Sequence, residues 1–440
     1  MIEGKAECGL RYAVRKSGSA AGYCALSIKC GTRSETVRDG EDGKVFGSGT
    51  AHFAEHTVFR GTQKKSAQTI GSYLDRLGGE LNAYTTKEEI VIHATVLKED
   101  LKKAASLLFE LATSPVFPEE EVETEKGVVI DEINSCKDSP SEEIYDRFEE
   151  MLFTGHPLAR PILGTASSVR KITSRELRRF AKEKFVPGNM AFTIVADMEE
   201  KKLAKLAENL AANFFPESSS GKTGRNAEED AVSEAQSGKE AGRHSAGQKE
   251  ANPVPENRFD KTVDKHNHKA NCVIGGLAPS LYEEKDRISA VLLCNIIGGP
   301  ATNSILNSVL RERNGWVYAV ECTYTQYADT GIAAICLGCD RENLDKCLRA
   351  VDRELEKLRS KPLSPGRLRA AKKQLLGQIA ISSDNGEAQC LSMGKALLAY
   401  GKVSSDVKNR ERIEAITAED IREAACRIFS PDKLSRLIFT

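Results

Sequence analysis

The chain has 440 residues, 40% of them apolar and 29% charged, and its 63 basic and 64 acidic side chains leave a formal net charge of -1. That length is natural for two domains of about 200 residues each. The even charge lacks the basic excess of a nucleic-acid surface, and no apolar run reaches the roughly eighteen residues of a membrane span. Met1 to Cys8 carries two acids and no apolar core, so it does not read as a secretory signal. Twelve cysteines lie scattered along the chain. Cys336 and Cys339 make the single C-x-x-C, in an apolar run that reads as a strand, so half-buried thiols are the plain reading. Cysteine at this frequency in a large chain favours a reducing, cytosolic setting.

In chain order, residues 9–35 read as strands, and Thr36 to Gly49 is a polar, glycine-rich loop. Thr50 to Phe59 reads as a helix, with apolar Ala51, Phe53, Ala54, Val58 and Phe59 set around two histidines, and it stops at Gly61. His52 and His56 are four apart, so their imidazoles lie one above the other and can reach one metal ion. Glu55 projects near the same face, close enough to touch a water on that metal. The order His-x-x-Glu-His inverts the commoner zinc-peptidase helix. A catalytic zinc site takes three protein ligands, so this pair needs a third.

A helix follows over 66–77, closed by Gly78 and Gly79. Residues 80–86 and 90–97 read as adjacent strands, and 99–113 is helical. Pro118 opens a helix to Asn134 with acids crowding its first turn. On it Glu125 and Glu132 stand two turns apart on one face. Either could supply the third ligand, as could several neighbouring acids, and composition does not choose. Helices are expected over 141–155, over 173–185 (opened by Thr173 to Glu176 as a capping box) and over 199–214, with a strand at 190–196. From 216 to 265 a Ser, Gly, Glu, Ala and Lys mixture lacks paired apolar positions and reads as a flexible connector, with room for a small helix at 227–242. Beyond it come a strand at 271–276, helices at 286–297 and 303–313, and strands at 317–324 and 331–339. Helices at 343–358, 365–382, 388–400 and 412–429 follow, and a strand closes at 436–439. The second series repeats the order of the first. The expected fold is α+β, with similar domains at 1–215 and 266–440 joined by 216–265.

Taken together these residues resemble the M16 (pitrilysin-type) metallopeptidases. The resemblance rests on His52-x-x-Glu55-His56 with Phe59-Arg60-Gly61-Thr62, on Gly78 to Thr85, and on Glu125-Lys126-Gly127-Val128-Val129-x-x-Glu132-Ile133. Pro161 to Thr165 and Leu310-Arg311-Glu312-x-x-Gly315-x-x-Tyr318 complete it, so it spans nearly the whole chain. It implies two α/β sandwiches forming half of a clamshell. It implies one zinc ion per chain held by His52, His56 and Glu132, with Glu125 orienting a ligand from behind. Glu55 is implied as the general base and acid of peptide-bond hydrolysis.

The same resemblance implies that Asn82 and Ala83 hold substrate backbone along a strand edge. Arg311 and Tyr318, from the other domain, would grip substrate and steady the tetrahedral intermediate. The half-length members resembled here close their chamber by pairing. Peptide substrates and a homodimer are therefore expected, a heterodimer with a related subunit being the other arrangement. No match to the glycine-rich loop of noncatalytic processing subunits is seen, which favours a bacterial cytosolic enzyme for unfolded peptides over mitochondrial presequence processing. The competing class is a catalytically silent assembly or peptide-binding subunit. Such members lose a ligand or the base, and this chain keeps both. The chain departs from the family pattern in the long loop 36–49, at Trp316, at Thr302-Asn303-Ser304 and at Ala196-Asp197, all outside the metal set. His93, on a strand, is read as structural.

Overall fold

A computed structural model describes residues 1–36, 45–216, 254–255, 257–266 and 268–440. Most of the expected connector, with the small helix at 227–242, lies outside these residues. Two sheets organise the rest. The first contains β1 (Ile2–Lys5), β2 (Arg11–Lys16), β3 (Ala21–Ile28), β4 (Glu80–Thr85), β5 (Ile90–Leu97) and β6 (Met190–Ala196), in the order β1-β2-β6-β3-β5-β4. The second contains β7 (Asp260–Val263), β8 (Lys269–Ala278), β9 (Val317–Gln326), β10 (Gly331–Asp340) and β11 (Ser435–Phe439), in the order β7-β11-β8-β10-β9. With β1 set aside, the two orders correspond strand for strand. In each, one pair is parallel, β2 with β6 and β7 with β11. One strand plan is written twice along the chain.

Each sheet is covered on one face by helices of its own half. Leu108 and Phe109 of the Leu101–Thr113 helix, with Leu203 and Leu210 of the Glu200–Phe214 helix, share a core with Leu26, Ile92, Phe192 and Ile194. The other face is covered from the opposite half. Ala13, Ala25, Val91, Ala191 and Val195 of the first sheet pack on Cys390, Met393 and Leu397 of the Gly386–Tyr400 helix. In return, Ile144, Phe148 and Leu152 of the Pro140–Leu152 helix pack on Val273, Ile332, Ala334, Leu437 and Phe439 of the second sheet. This explains why β6, central and covered on both faces, is buried at every position and reads as an unbroken apolar run. Gly394 lets the crossing helix sit close, because a Cβ there would meet Ser27 Oγ at 2.5 Å. Burying a leucine or phenylalanine in this way contributes roughly 1.5–3 kcal/mol, so the exchanged helices hold the halves together firmly.

Three expectations change. Asp260–Val263 lies inside the stretch read as connector, yet it is a strand, and Phe259 packs beside it. Its first three residues are exposed and polar on a sheet edge, so no apolar alternation marks it. The helix expected at 303–313 contains a six-residue π-helical segment, Asn307–Glu312. The helix expected at 412–429 is two, Asp406–Ala415 and Ala418–Ile428. Ile416 is extended between them, and Thr417 and Asp420 form a capping box that restarts the chain.

Candidate metal centre

The histidine helix, Thr50–Val58, has nine residues, and Ala51, Phe53, Ala54 and Val58 are fully buried. A helix so short is marginal alone, so its surroundings must seat it. Gly49 precedes it at φ 87°, without a side-chain cap of its own. Glu35, in the turn Thr32–Thr36, supplies one: Oε1 accepts from Ala51 N–H at 2.9 Å and Oε2 from Gly49 N–H at 3.3 Å. Arg160 Nη1 stands 3.2 Å from Oε2. Burial raises the Glu35 carboxyl to about 7 against the pull of these donors. Glu176 Oε1 accepts from Gly47 N–H at 2.8 Å. The capping box expected at Thr173 is therefore half made: Thr173 Oγ1 accepts from Glu176 N–H, but the Glu176 carboxylate is engaged at the histidine helix. Gly49 and Gly164 meet back to back, and a Cβ on Gly164 would lie 2.5 Å from Ser48 O.

The third donor comes from the Glu119–Asp138 helix, which Val122, Val129 and Ile133 anchor in the core. Glu132 Oε2 lies 3.7 Å from His52 Nε2 and 3.5 Å from His56 Nε2. Donor atoms of these three residues all lie within 4.8 Å of one another, and among the described residues no other group of three shares this property. Two turns earlier Glu125 is 2% exposed. One of its oxygens is 2.9 Å from His56 Nδ1 and the other 2.5 Å from Arg60 Nη2. With Nδ1 bonded to the Glu125 carboxylate, Nε2 is the His56 nitrogen turned toward Glu132.

The donor set fits zinc. Bonds of about 2.0–2.2 Å in a tetrahedral site place neighbouring donor atoms about 3.4 Å apart. The two Glu132 distances are close to that, and too long for good hydrogen bonds. Burial, then the charge of His56, lowers His52 to about 4, which keeps it a neutral donor. Burial also lowers His56, but Glu125 and Glu132 outweigh it and raise that imidazole to about 9. Two carboxylates thus focus negative potential where a cation would sit.

Glu55 lies half-buried on the same helix, and its Oε2 accepts from Thr85 Oγ1 at 2.5 Å. Burial raises its pKa, while the Thr85 bond and His56 oppose the rise. Thr85 ends β4, the edge strand of the first sheet, which among the described residues pairs only with β5. Asn82 and Ala83 lie on that strand, opposite His93 and Ile92. His93 pairs with Glu387 of the crossing helix at 3.0 Å, a packing contact between halves. Arg311 and Tyr318 sit in the second half, both exposed, Arg311 in the π-helical segment and Tyr318 near the start of β9. The Tyr318 hydroxyl donates to Asp340, and Lys269 Nζ lies 5.0 Å over its ring. No described side-chain contact joins either residue to the histidine cluster. Glu35, Thr85 and Glu176 were not singled out from the sequence as site residues. Thr85 closes the Gly78 to Thr85 stretch without a role of its own being implied, and Glu176 reads as a cap for a different partner.

Two family models match the chain: Insulinase (Peptidase family M16) over residues 11–166 and Peptidase M16 inactive domain over residues 171–375. The chain belongs to the M16 peptidase family. An uncharacterised zinc protease of Streptomyces coelicolor is 28% identical over 378 residues, covering 86% of this chain and 78% of its own. One from Rickettsia felis is 27% identical over 421 residues, covering 94% and 91%. Among solved structures, a protease from Helicobacter pylori shares the fold at a TM-score of 0.82 and 18% identity, covering 100% of this chain and 99% of its own. A putative M16-like peptidase from Alicyclobacillus acidocaldarius does so at 0.81 and 18%, covering 100% and 97%. The two mixed α/β sandwiches are thus the M16 plan, and the cluster that could hold zinc lies in the half matching the insulinase model. No helix among the described residues is long and apolar enough to cross a membrane.

Proposed function

We propose that this M16 chain is a zinc-dependent endopeptidase acting on unfolded peptides or small polypeptides. The observation that carries the reading is the convergence of His52 Nε2 and His56 Nε2 on Glu132 Oε2. Zinc held there would supply Lewis acidity toward the scissile carbonyl and toward a water. Glu55 takes the proton of the attacking water and returns it to the leaving amine. Burial raises the Glu55 pKa, which favours its taking up the proton it is given. Thr85 occupies Glu55 Oε2 and leaves Oε1 for that proton. Glu125 holds the His56 ring through Nδ1. The free edge of β4 offers the main chain of Asn82 and Ala83 to an extended substrate.

Arg311 and Tyr318 need a different source. The exchanged helices oppose any swing of one half against the other within a chain. We assign the pair to a second copy, so that each chain is half of a clamshell and a homodimer brings Arg311 and Tyr318 of one copy to the cluster of the other. All twelve cysteines are free thiols, which suits a bacterial cytoplasm. The intact cluster weighs against a silent assembly subunit.

The test is cleavage of a mixed library of unfolded peptides, with metal content read on the same sample. Wild-type protein should turn over and carry about one zinc per chain. Glu55→Gln should keep the zinc and lose turnover. Protein that takes up no zinc, or a Glu55→Gln variant as active as wild type, overturns the reading. Zinc without turnover in a verified homodimer would replace it with a binding role.

A further inference from the structure

The turn between β9 and β10, Tyr327 to Thr330, leaves the second half and enters the first. Tyr327 is buried, and its hydroxyl donates to Glu149 Oε1 at 2.7 Å. Asp329 takes both arms of the Arg33 guanidinium, Nη1 to Oδ1 at 2.8 Å and Nη2 to Oδ2. Arg33 Nη1 also reaches Glu88 Oε1 at 2.8 Å. Ala328 N–H is shared by the two Glu88 oxygens at 3.2 and 3.1 Å. His156 Nδ1 accepts from Leu158 N–H at 3.3 Å, so the ring proton sits on Nε2, which faces Asp329 Oδ2 at 3.6 Å.

These contacts end on two turns that carry the metal centre's supports. Arg33 is in the same short turn as Glu35, the carboxylate that caps the histidine helix. Glu88 is in the β4–β5 turn, just past Thr85, the hydroxyl that holds Glu55. The two turns are also tied to each other. Lys87, 4% exposed, donates to Arg160 O at 2.5 Å, and the Arg160 guanidinium meets Glu35. The exchanged helices already join the halves, so this turn is not needed merely to connect them.

We infer that the Tyr327–Thr330 turn is a positioning element for the metal centre. Asp329, through Arg33, fixes the turn whose Glu35 seats the histidine helix. Ala328 N–H, through Glu88, fixes the turn whose Thr85 aims Glu55. The inference rests on the zinc-peptidase reading above. Asp329 and Arg33 touch neither the cluster nor its general base, and act through Glu35 and Thr85. The two-pronged pair is oriented as well as attractive, which a single charge contact would not be.

The test uses the full chain with Asp329→Asn and, separately, Arg33→Lys, which keeps the charge but not the fork. Zinc affinity is read by competition with a chelator, hydrogen exchange over residues 49–58 and 140–152, and kcat and KM on a peptide. Both variants should bind zinc about tenfold more weakly, the scale on which outer partners of metal ligands act. Exchange should quicken over 49–58 and stay unchanged over 140–152, and kcat should fall at constant KM. Wild-type affinity and exchange in both variants would overturn the inference. Exchange rising equally over both segments would overturn it too, in favour of a general structural role. If Asp329→Asn does not fold, Arg33→Lys carries the same expectations. Wild-type protein without zinc affinity would instead sink the peptidase reading, so the two failures are distinguishable.

Discussion

Replacing Gly164 by alanine, with Gly155→Ala beside it, isolates the contact that seats the histidine helix. Both glycines have positive φ, 71° and 88°. A side chain in that conformation costs about 1–2 kcal/mol. At Gly155 an added Cβ meets nothing within 4 Å, whereas at Gly164 it would meet Ser48 O at 2.5 Å and Gly49 Cα at 2.9 Å. Those are backbone atoms and cannot rotate away. Forcing them apart adds roughly 1–3 kcal/mol, the usual scale of overpacking. Gly155→Ala should therefore lower stability by about 1–2 kcal/mol and Gly164→Ala by about 2–5 kcal/mol. The smaller freedom of the unfolded alanine chain is common to both and cancels in the difference. Urea midpoints at unchanged slope read that difference. The strained contact lies at the start of the helix that carries His52 and His56. Gly164→Ala should therefore also lose zinc to a chelator faster than wild type, while Gly155→Ala should not. Equal midpoint shifts would refute the claim that contact, beyond φ, seats the helix.

Glu125→Gln removes the charge behind His56 Nδ1 and should weaken zinc affinity about 10- to 100-fold. Chelator competition at fixed pH reads it, and unchanged affinity would end the orienting role. Tyr12 donates to Glu208 Oε1 at 2.6 Å, and burial, followed by that bond, pushes its phenol from 10.0 up to about 12. The folded state holds this proton more tightly than the unfolded chain does. Its stabilisation is therefore complete below pH 10 and is lost as pH rises to about 12. Thermal melts of Tyr12→Phe should be flatter than wild type across that window, and a loss as steep as wild type's would reject the argument.

What the sequence made legible follows from how far each signal reaches. His52, Glu55 and His56 share one helix, and helical geometry alone puts the two imidazoles together. Glu125 and Glu132 were visible as a pair on one face. Only the packing of Val122, Val129 and Ile133 decides which oxygen meets the two Nε2 atoms and which meets Nδ1. Glu35 was out of reach because its partners are backbone N–H groups, which leave no mark in the residue code. Thr85 was out of reach because its bond to Glu55 crosses from strand to helix. The repeated strand plan was legible as repeated element order. Its β7 member was not, since three exposed polar residues resemble linker more than strand.

The crossing helices also set an order of events during synthesis. The inner face formed by Ala13, Ala25, Val91, Ala191 and Val195 is made of residues that leave the ribosome early, but its cover includes Met393 and Leu397. About two hundred residues must be added in between, which takes on the order of 10–40 s at typical elongation rates. During that interval the first sheet presents a bare apolar surface, and the Pro140–Leu152 helix waits for a sheet not yet made. The nascent first half is therefore a natural client for a holding chaperone, and native packing arrives in both halves at nearly the same moment, only once the second half has been made.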